Sequence, residues 1–149
     1  MKDERANLHC IKVHSHDPEE RILVEVLAGM EEEGIPWEVV DVTKINSGLK
    51  DEDLIKMAYE ACKESNMGIG VAINKNKVAV HYIKLKEKNP LILKEIKNYE
   101  INVARAIGCN AGRLYKVMPF RDTEDGGNKE LVEFIRKSVI EVLHRIYKE

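Results

Sequence analysis

The sequence lacks most of the features that announce a function. No run of about 18 apolar residues occurs among its 149 positions, so no membrane-spanning helix is expected. Aromatic residues make up only 5%, and 24 Lys+Arg stand against 26 Asp+Glu for a net charge of −2. A nucleic-acid platform, which needs a basic field and stacking rings, is therefore not expected. The three cysteines, Cys10, Cys62 and Cys109, are odd in number and far apart. That spacing fits neither a disulfide framework nor a CxxC metal knuckle. The opening MKDERANLHC is charged, so no secretory signal is expected. GxxxxGK[ST] is missing, and with it the phosphate-cradling loop that carries it. Gly68-Ile69-Gly70 falls inside a strand pattern that turns into another strand, whereas a dinucleotide fingerprint must open a helix. No Ser–His–Asp arrangement and no paired catalytic acids emerge. What is present is ordinary: 44% hydrophobic and 34% charged residues, in a length suited to one reduced, cytosolic α/β domain.

Strand and helix patterns alternate along the chain. Leu8–His14 reads as a strand, and Asp17-Pro18-Glu19-Glu20 reads as a helix start with Asp17 as cap and Pro18 at the first helical position. Ile22, Val26 and Met30 then recur at helical spacing until Gly34, with Ile35-Pro36 preventing continuation. Trp37–Val42 is a second strand, and Asp51 is expected to cap a helix burying Leu54, Ile55, Ala58 and Cys62. Met67–Ile73 and Val78–Tyr82 form a hairpin about Asn74-Lys75-Asn76-Lys77. A third helix is predicted from Asn89-Pro90 through Ile92, Ile96, Tyr99, Val103 and Ile107, closed by Gly108. Arg113–Met118 is then a fifth strand halted by Pro119. After a Thr123–Asn128 loop, a last helix over about 129–148 carries Leu131, Ile135, Val139, Val142 and Ile146. Such alternation implies parallel pairing in a layered α/β domain whose one hairpin makes the sheet mixed, as a single domain over 1–149.

Four local features invite chemistry. Glu31-Glu32-Glu33 occupies the last turn of the first helix, where the macrodipole is already negative, so the run works against the helix by roughly 1–3 kcal/mol. It reads either as a solvated face or as carboxylates aimed at a cation, a hard metal ion or a partner's arginine. His14-Ser15-His16-Asp17 follows a strand at the end where open α/β sheets bind ligands; metal binding and plain capping both fit it. Cys109 lies near Arg105 and Arg113, which would lower a thiol pKa, although a small buried cysteine is the commoner case. Arg105, Arg113, Lys116 and Arg121, with Asn102 and Asn110 interleaved, form a basic segment. Acids at a helix end and bases after residue 100 suggest two opposite patches for a protein partner.

Three stretches in this order carry a resemblance: Leu27 to Trp37 with its Glu31-Glu32-Glu33-Gly34-Ile35-Pro36, then Val80-His81-Tyr82 with Lys84-Leu85, then Asn110-Ala111-Gly112-Arg113-Leu114-Tyr115-Lys116 with Pro119-Phe120-Arg121-Asp122. From about Leu8 to Asp122 the chain resembles the small subunit of the adenosylcobalamin-dependent diol/glycerol dehydratase reactivating factor. Met1–Asn7 and Lys129–Glu149 lie outside that core. The resemblance implies a three-layer α/β/α sandwich on a mixed, mostly parallel sheet of about five strands, anticodon-binding-domain-like, with its core at about 8–122. It also implies a non-catalytic, chaperone-like role. In that role the chain pairs with a large ATPase subunit, then swaps onto an inactivated B12-dependent diol/glycerol dehydratase so that damaged cobalamin leaves. It also implies that Glu32 reaches in trans to a divalent ion, Mg2+ or Ca2+, on the large subunit. Glu31, Glu33, Asn110, Arg113, Lys116 and Arg121 are then expected at the partner surface. No cofactor is expected on this chain alone, and no nucleic-acid or membrane partner. The implied setting is cytoplasmic, free or associated with a bacterial microcompartment. The alternative is the medium subunit of such a dehydratase, which cradles cobalamin; an RNA-binding module is suggested by fold analogy alone.

Overall fold

A computed structural model describes residues 9–43, 49–121, 136–137 and 139–145. The chain runs β1 (Ile11–Pro18), α1 (Glu20–Glu32), β2 (Trp37–Asp41), α2 (Asp51–Glu64), β3 (Ile69–Lys75), β4 (Lys77–Tyr82), β5 (Ile92–Glu95) and α3 (Ile101–Lys116). The sheet has five strands in the order β2-β1-β3-β4-β5. β1 pairs in parallel with both β2 and β3. β3–β4 and β4–β5 pair antiparallel. The sheet is thus mixed, as expected, with parallel and antiparallel pairings in equal number.

The order 2-1-3 explains the layers. Successive crossovers of one hand that step first to one side of β1 and then to the other place their helices on opposite faces. α1 and α3 cover one face, where Ile11, Val13, Val71, Ile73, Val78 and Val80 meet Ile22, Val26, Met30, Ile107 and Leu114 in the main core. On the other face α2 sets Leu54 and Ala58 against Ala72 and Ala79. Small residues let α2 lie close there: a Cβ on Gly70 would collide with the Ala58 carbonyl and the Cys62 amide. Residues 139–145 are helical, and Val139 and Leu143 are buried in the α1/α3 core. The Thr123–Asn128 loop and the first part of the terminal helix lie outside the described residues.

The structure corrects several local expectations. The first half of the helix predicted from Asn89-Pro90 instead forms β5, with Ile92 opposite Val80 and Leu93 opposite Ala79, while its second half, with Val103 and Ile107, is helical in α3. Four residues are too few for periodicity to separate strand from helix, and pairing along the outer edge of β4 decides it. Arg113–Met118 is no strand, because α3 runs through Gly108 and Arg113 as far as Lys116. Gly108 is no stop signal: it sits mid-helix because a Cβ there would collide with the Val26 carbonyl of α1. Asp17 is no cap and Pro18 no first helical residue. β1 extends to Pro18 opposite Lys75, with an irregularity after His16. Asp17 is the extra residue of that bulge, at φ +46°, and its N–H donates to Thr43 Oγ1 at 2.9 Å. α2 likewise starts one residue early: Asp51 is already helical, and Asp53 Oδ2 accepts the Lys50 N–H at 3.0 Å.

Candidate interaction site

α1 ends as its sequence predicts. Gly34 takes φ +72°, its N–H donates to the Glu31 carbonyl at 2.9 Å, and the Ile35 N–H donates to the Met30 carbonyl at 3.1 Å. This is the doubly bonded left-handed helix stop, sealed by contact between Ile35 and Met30 in the core. The three glutamates preceding Gly34 therefore have fixed backbone positions. α1 carries no basic residue in its last turn.

The compensation comes from α3, which packs alongside. Glu33 is nearly buried, its side chain 9% exposed. It accepts from Lys116 Nζ at 2.7 Å and from Arg113 Nε at 3.1 Å. Lys116 also donates to the Glu33 main-chain carbonyl at 2.9 Å, so one ammonium serves both the carboxylate and the negative pole of the helix. The Lys116 hydrogen bond is the main reason the Glu33 carboxyl titrates below its ordinary value; burial opposes it, and Arg113 adds to it. Glu32 is more open, at 42% side-chain exposure. Its Oε1 accepts from Arg105 Nη1 at 3.1 Å, and its Oε2 lies 3.5 Å from Arg121 Nη1. The Cys109 thiol donates to the same Oε2 at 3.3 Å. Arg105 is steadied from the other side by Glu25 at 2.7 Å. Glu31 is exposed.

Asn110 has a different place from the surface one expected of it. It is buried at 1% exposure, and both ends of its amide hold one residue. Oδ1 accepts the Arg121 N–H at 2.6 Å, and Nδ2 donates to the Arg121 carbonyl at 3.0 Å. That clamp presents the Arg121 guanidinium to Glu32 and to Cys109 Sγ at 3.3 Å. Cys109 is a buried thiol, and its pKa is raised, by burial first and then by Glu32 against the lowering effect of Arg121. The acids and bases that suggested two opposite patches are thus neighbours, paired with one another. Sequence reading missed Glu25 and the role of Arg105. The signal was present: Glu25 and Glu33 are eight residues apart on α1, and their partners Arg105 and Arg113 are eight apart on α3.

A second concavity, of about 440 Å3, lies beside α2 at the carboxyl ends of β1 and β2, lined by His14, His16, Val40, Val42, Met57 and Glu64 among others. His14 Nε2 is 2.8 Å from Glu64 Oε2, and His16 Nδ1 is 3.3 Å from Asn74 Oδ1. Asp17, the third donor of a metal reading, sits in the bulge and is exposed. Among the described residues no three His, Cys, Asp or Glu side chains converge on a cation position. Nor is any described helix long and apolar enough to cross a membrane.

Residues 9–121 match the profile of the family described as dehydratase medium subunit. The chain belongs to that family. Within this dehydratase medium subunit family it is 34% identical over 98 residues to the propanediol dehydratase-reactivating factor small subunit of Salmonella typhimurium, covering 66% of this chain and 78% of the relative. To the diol dehydratase-reactivating factor small subunit of Klebsiella michiganensis it is 33% identical over 98 residues, covering 66% and 72%. Among solved structures, a chain of diol dehydratase-reactivating factor complexed with ADP and Mg2+ matches with a TM-score of 0.66 at 30% identity. That match covers 78% of this chain and 100% of the other. A chain of glycerol dehydratase reactivase matches with a TM-score of 0.68 at 20% identity, a likeness of fold. The family profile spans nearly the same residues as the core at 8–122, and the small-subunit resemblance read from the sequence is borne out.

Proposed function

We propose that this chain is the non-catalytic small subunit of a reactivating factor, pairing with a large ATPase subunit and exchanging onto an inactivated B12-dependent diol or glycerol dehydratase to release damaged cobalamin. The observation that carries this reading is the 34% identity to a reactivating factor small subunit, over 78% of that relative. It is supported by the exposed carboxylate at the end of α1. Glu32 is one oxygen-bearing side chain with two guanidinium groups against it, so the chain alone is a poor cation site. A divalent ion that meets Glu32 must be held mainly by groups of another subunit, with this chain adding one hard ligand in trans. Glu33, Arg113 and Lys116 then fix the helix end from which Glu32 projects, and Asn110 fixes Arg121. Glu31, exposed beside them, is free to meet the partner's surface.

Co-expression with a candidate large subunit tests this directly. A stable complex is expected, strengthened by millimolar Mg2+ or Ca2+. Glu32→Ala should weaken it by about tenfold, the scale of one charge-assisted contact worth about 1–2 kcal/mol. No association at micromolar concentrations would sink the proposal. The isolated chain is expected to turn over neither ATP nor a diol. The family's own name favours one other reading, a dehydratase medium subunit; tight cobalamin binding by the pure chain would select it.

A further inference from the structure

β1 breaks the rule for a strand inside a sheet. It lies between β2 and β3, and a parallel strand covered on both faces is expected to be apolar on both. Ile11 and Val13 obey on the α1/α3 face, while Lys12, His14 and His16 alternate with them on the α2 face. Lys12 is paired with Glu38 at 2.7 Å. His14 stands in register between Val40 of β2 and Ala72 of β3, where packing calls for an apolar side chain. It is nevertheless buried, at 5% exposure, and His16 at 7%. α2 lies chiefly over β3 and β4, and beside it the β1–β2 half of this face is left as the concavity of about 440 Å3. That volume is in the range of small-molecule sites, and the carboxyl ends of parallel strands are where open α/β sheets take ligands.

The cleft is rich in acceptors and poor in donors. Glu64 Oε2 lies 2.8 Å from His14 Nε2. A carboxylate accepts, so in the neutral ring the proton sits on Nε2 and Nδ1 keeps a lone pair. That Nδ1 makes no hydrogen bond among the described residues, although the side chain is only 6% exposed. It is not sealed from the cleft that His14 lines. Asp53, Glu60 and Glu64 line the same cleft, each with one oxygen engaged, by the Lys50 N–H, by Lys63 and by His14. Lys63 offsets one of these carboxylates and Lys56, on the rim, a second, which leaves one negative charge in excess. Val40, Val42 and Met57 supply apolar wall. A metal ion suits this set poorly, because no three donors converge. A monocation with N–H donors satisfies it: a donor meets the buried lone pair, the charge balances the carboxylates, and an apolar body covers the valines. We propose that the cleft between α2 and the β1–β2 half of the sheet binds a small organic cation, a primary ammonium or amidinium on a short apolar body, with His14 Nδ1 as its acceptor. The site stands apart from Glu32 and does not rest on the small-subunit reading.

Benzamidinium and butylammonium test it, with benzoate and butyrate as anions of matching shape. Each is titrated into the full chain while amide NMR shifts and melting are recorded. Both cations should shift the amides of His14, Val40 and Met57 saturably and raise the melting temperature, binding about tenfold or more tighter than their anions. His14→Phe, which keeps a flat ring but removes the acceptor, should weaken both cations about tenfold, and Glu60→Gln about threefold. Anions that bind as tightly, shifts centred elsewhere, or no saturation by either cation overturn the proposal. So does a folded His14→Phe that binds as the wild type does. If His14→Phe does not fold, Glu60→Gln and Glu64→Gln decide, and cation binding unchanged in both overturns it. Zn2+ that saturates the same amides and excludes butylammonium assigns the cleft to a metal ion, and the proposal falls.

Discussion

Glu33 is the residue whose environment departs furthest from what its own helix offers. Held by Lys116 and Arg113, its carboxyl stays ionised to lower pH than the ordinary value of 4.5. A carboxyl whose pKa is depressed on folding adds stability above its unfolded pKa and loses it as pH falls through the folded one. Glu33→Gln should therefore cost about 1–2 kcal/mol at pH 7, lowering the melting temperature by roughly 2–8 °C. That deficit should be constant above about pH 5 and shrink as pH drops below the usual carboxylate range. Denaturant titrations of both proteins from pH 3 to 7 check it; a deficit undiminished at pH 3 would show that lost packing, not charge, is responsible. The same scale governs the three buried cysteines. Burial pushes the Cys62 thiol up to about 12, and Cys10 and Cys109 are raised by the same cause. The arginines near Cys109 in sequence, Arg105 and Arg113, are spent on glutamates, a fact that needs the third dimension.

At the scale of elements, the packing of α1 on α3 frames the site. Gly29 and Gly108 face one another's helices so closely that a Cβ on either would collide with backbone of the opposite helix. Backbone cannot turn aside as a flexible side chain does, so the helices must separate. Gly108→Ala gains about 1 kcal/mol of helix propensity but should still destabilise by a net 1–3 kcal/mol through overpacking. It should also loosen the Glu25–Arg105 and Glu33–Arg113 contacts that depend on the same spacing. A melting temperature equal to or above the wild type's would contradict this. Here lies the boundary of what was legible. α1, α2 and the β3–β4 hairpin follow from spacing, and the Gly34 stop from its left-handed glycine, although the expected first residues of both helices were misplaced. β5 and the full length of α3 do not, because a glycine required by a neighbouring helix looks the same in sequence as one that ends its own. The carboxylates were singled out from the dipole they oppose, but their partners lay 73 to 89 positions away, beyond any local rule.

For the molecule as a whole, the sheet joins two kinds of connection. β3, β4 and β5 follow one another from Ile69 to Glu95 and pair as an antiparallel meander. β1 reaches β2 only across α1, and β3 only across α1, β2 and α2. Closing a short loop costs less chain entropy than closing a long one, and local pairings are rewarded earlier. The meander is therefore the part of the sheet expected to form first, with β1 adding afterwards along β3 and linking it to the edge strand β2. Val80→Ala in β4 should then slow folding, with φ of about 0.5 or more, while Val13→Ala in β1 should chiefly speed unfolding, with φ below about 0.3. Stopped-flow chevrons of the two variants decide it, and the reverse ranking would refute the order. β1 also feeds α1, whose last turn holds Glu32. The carboxylate that we propose meets a partner would then be set in place late in folding, after the meander has formed, so that its presentation would report that the sheet is complete.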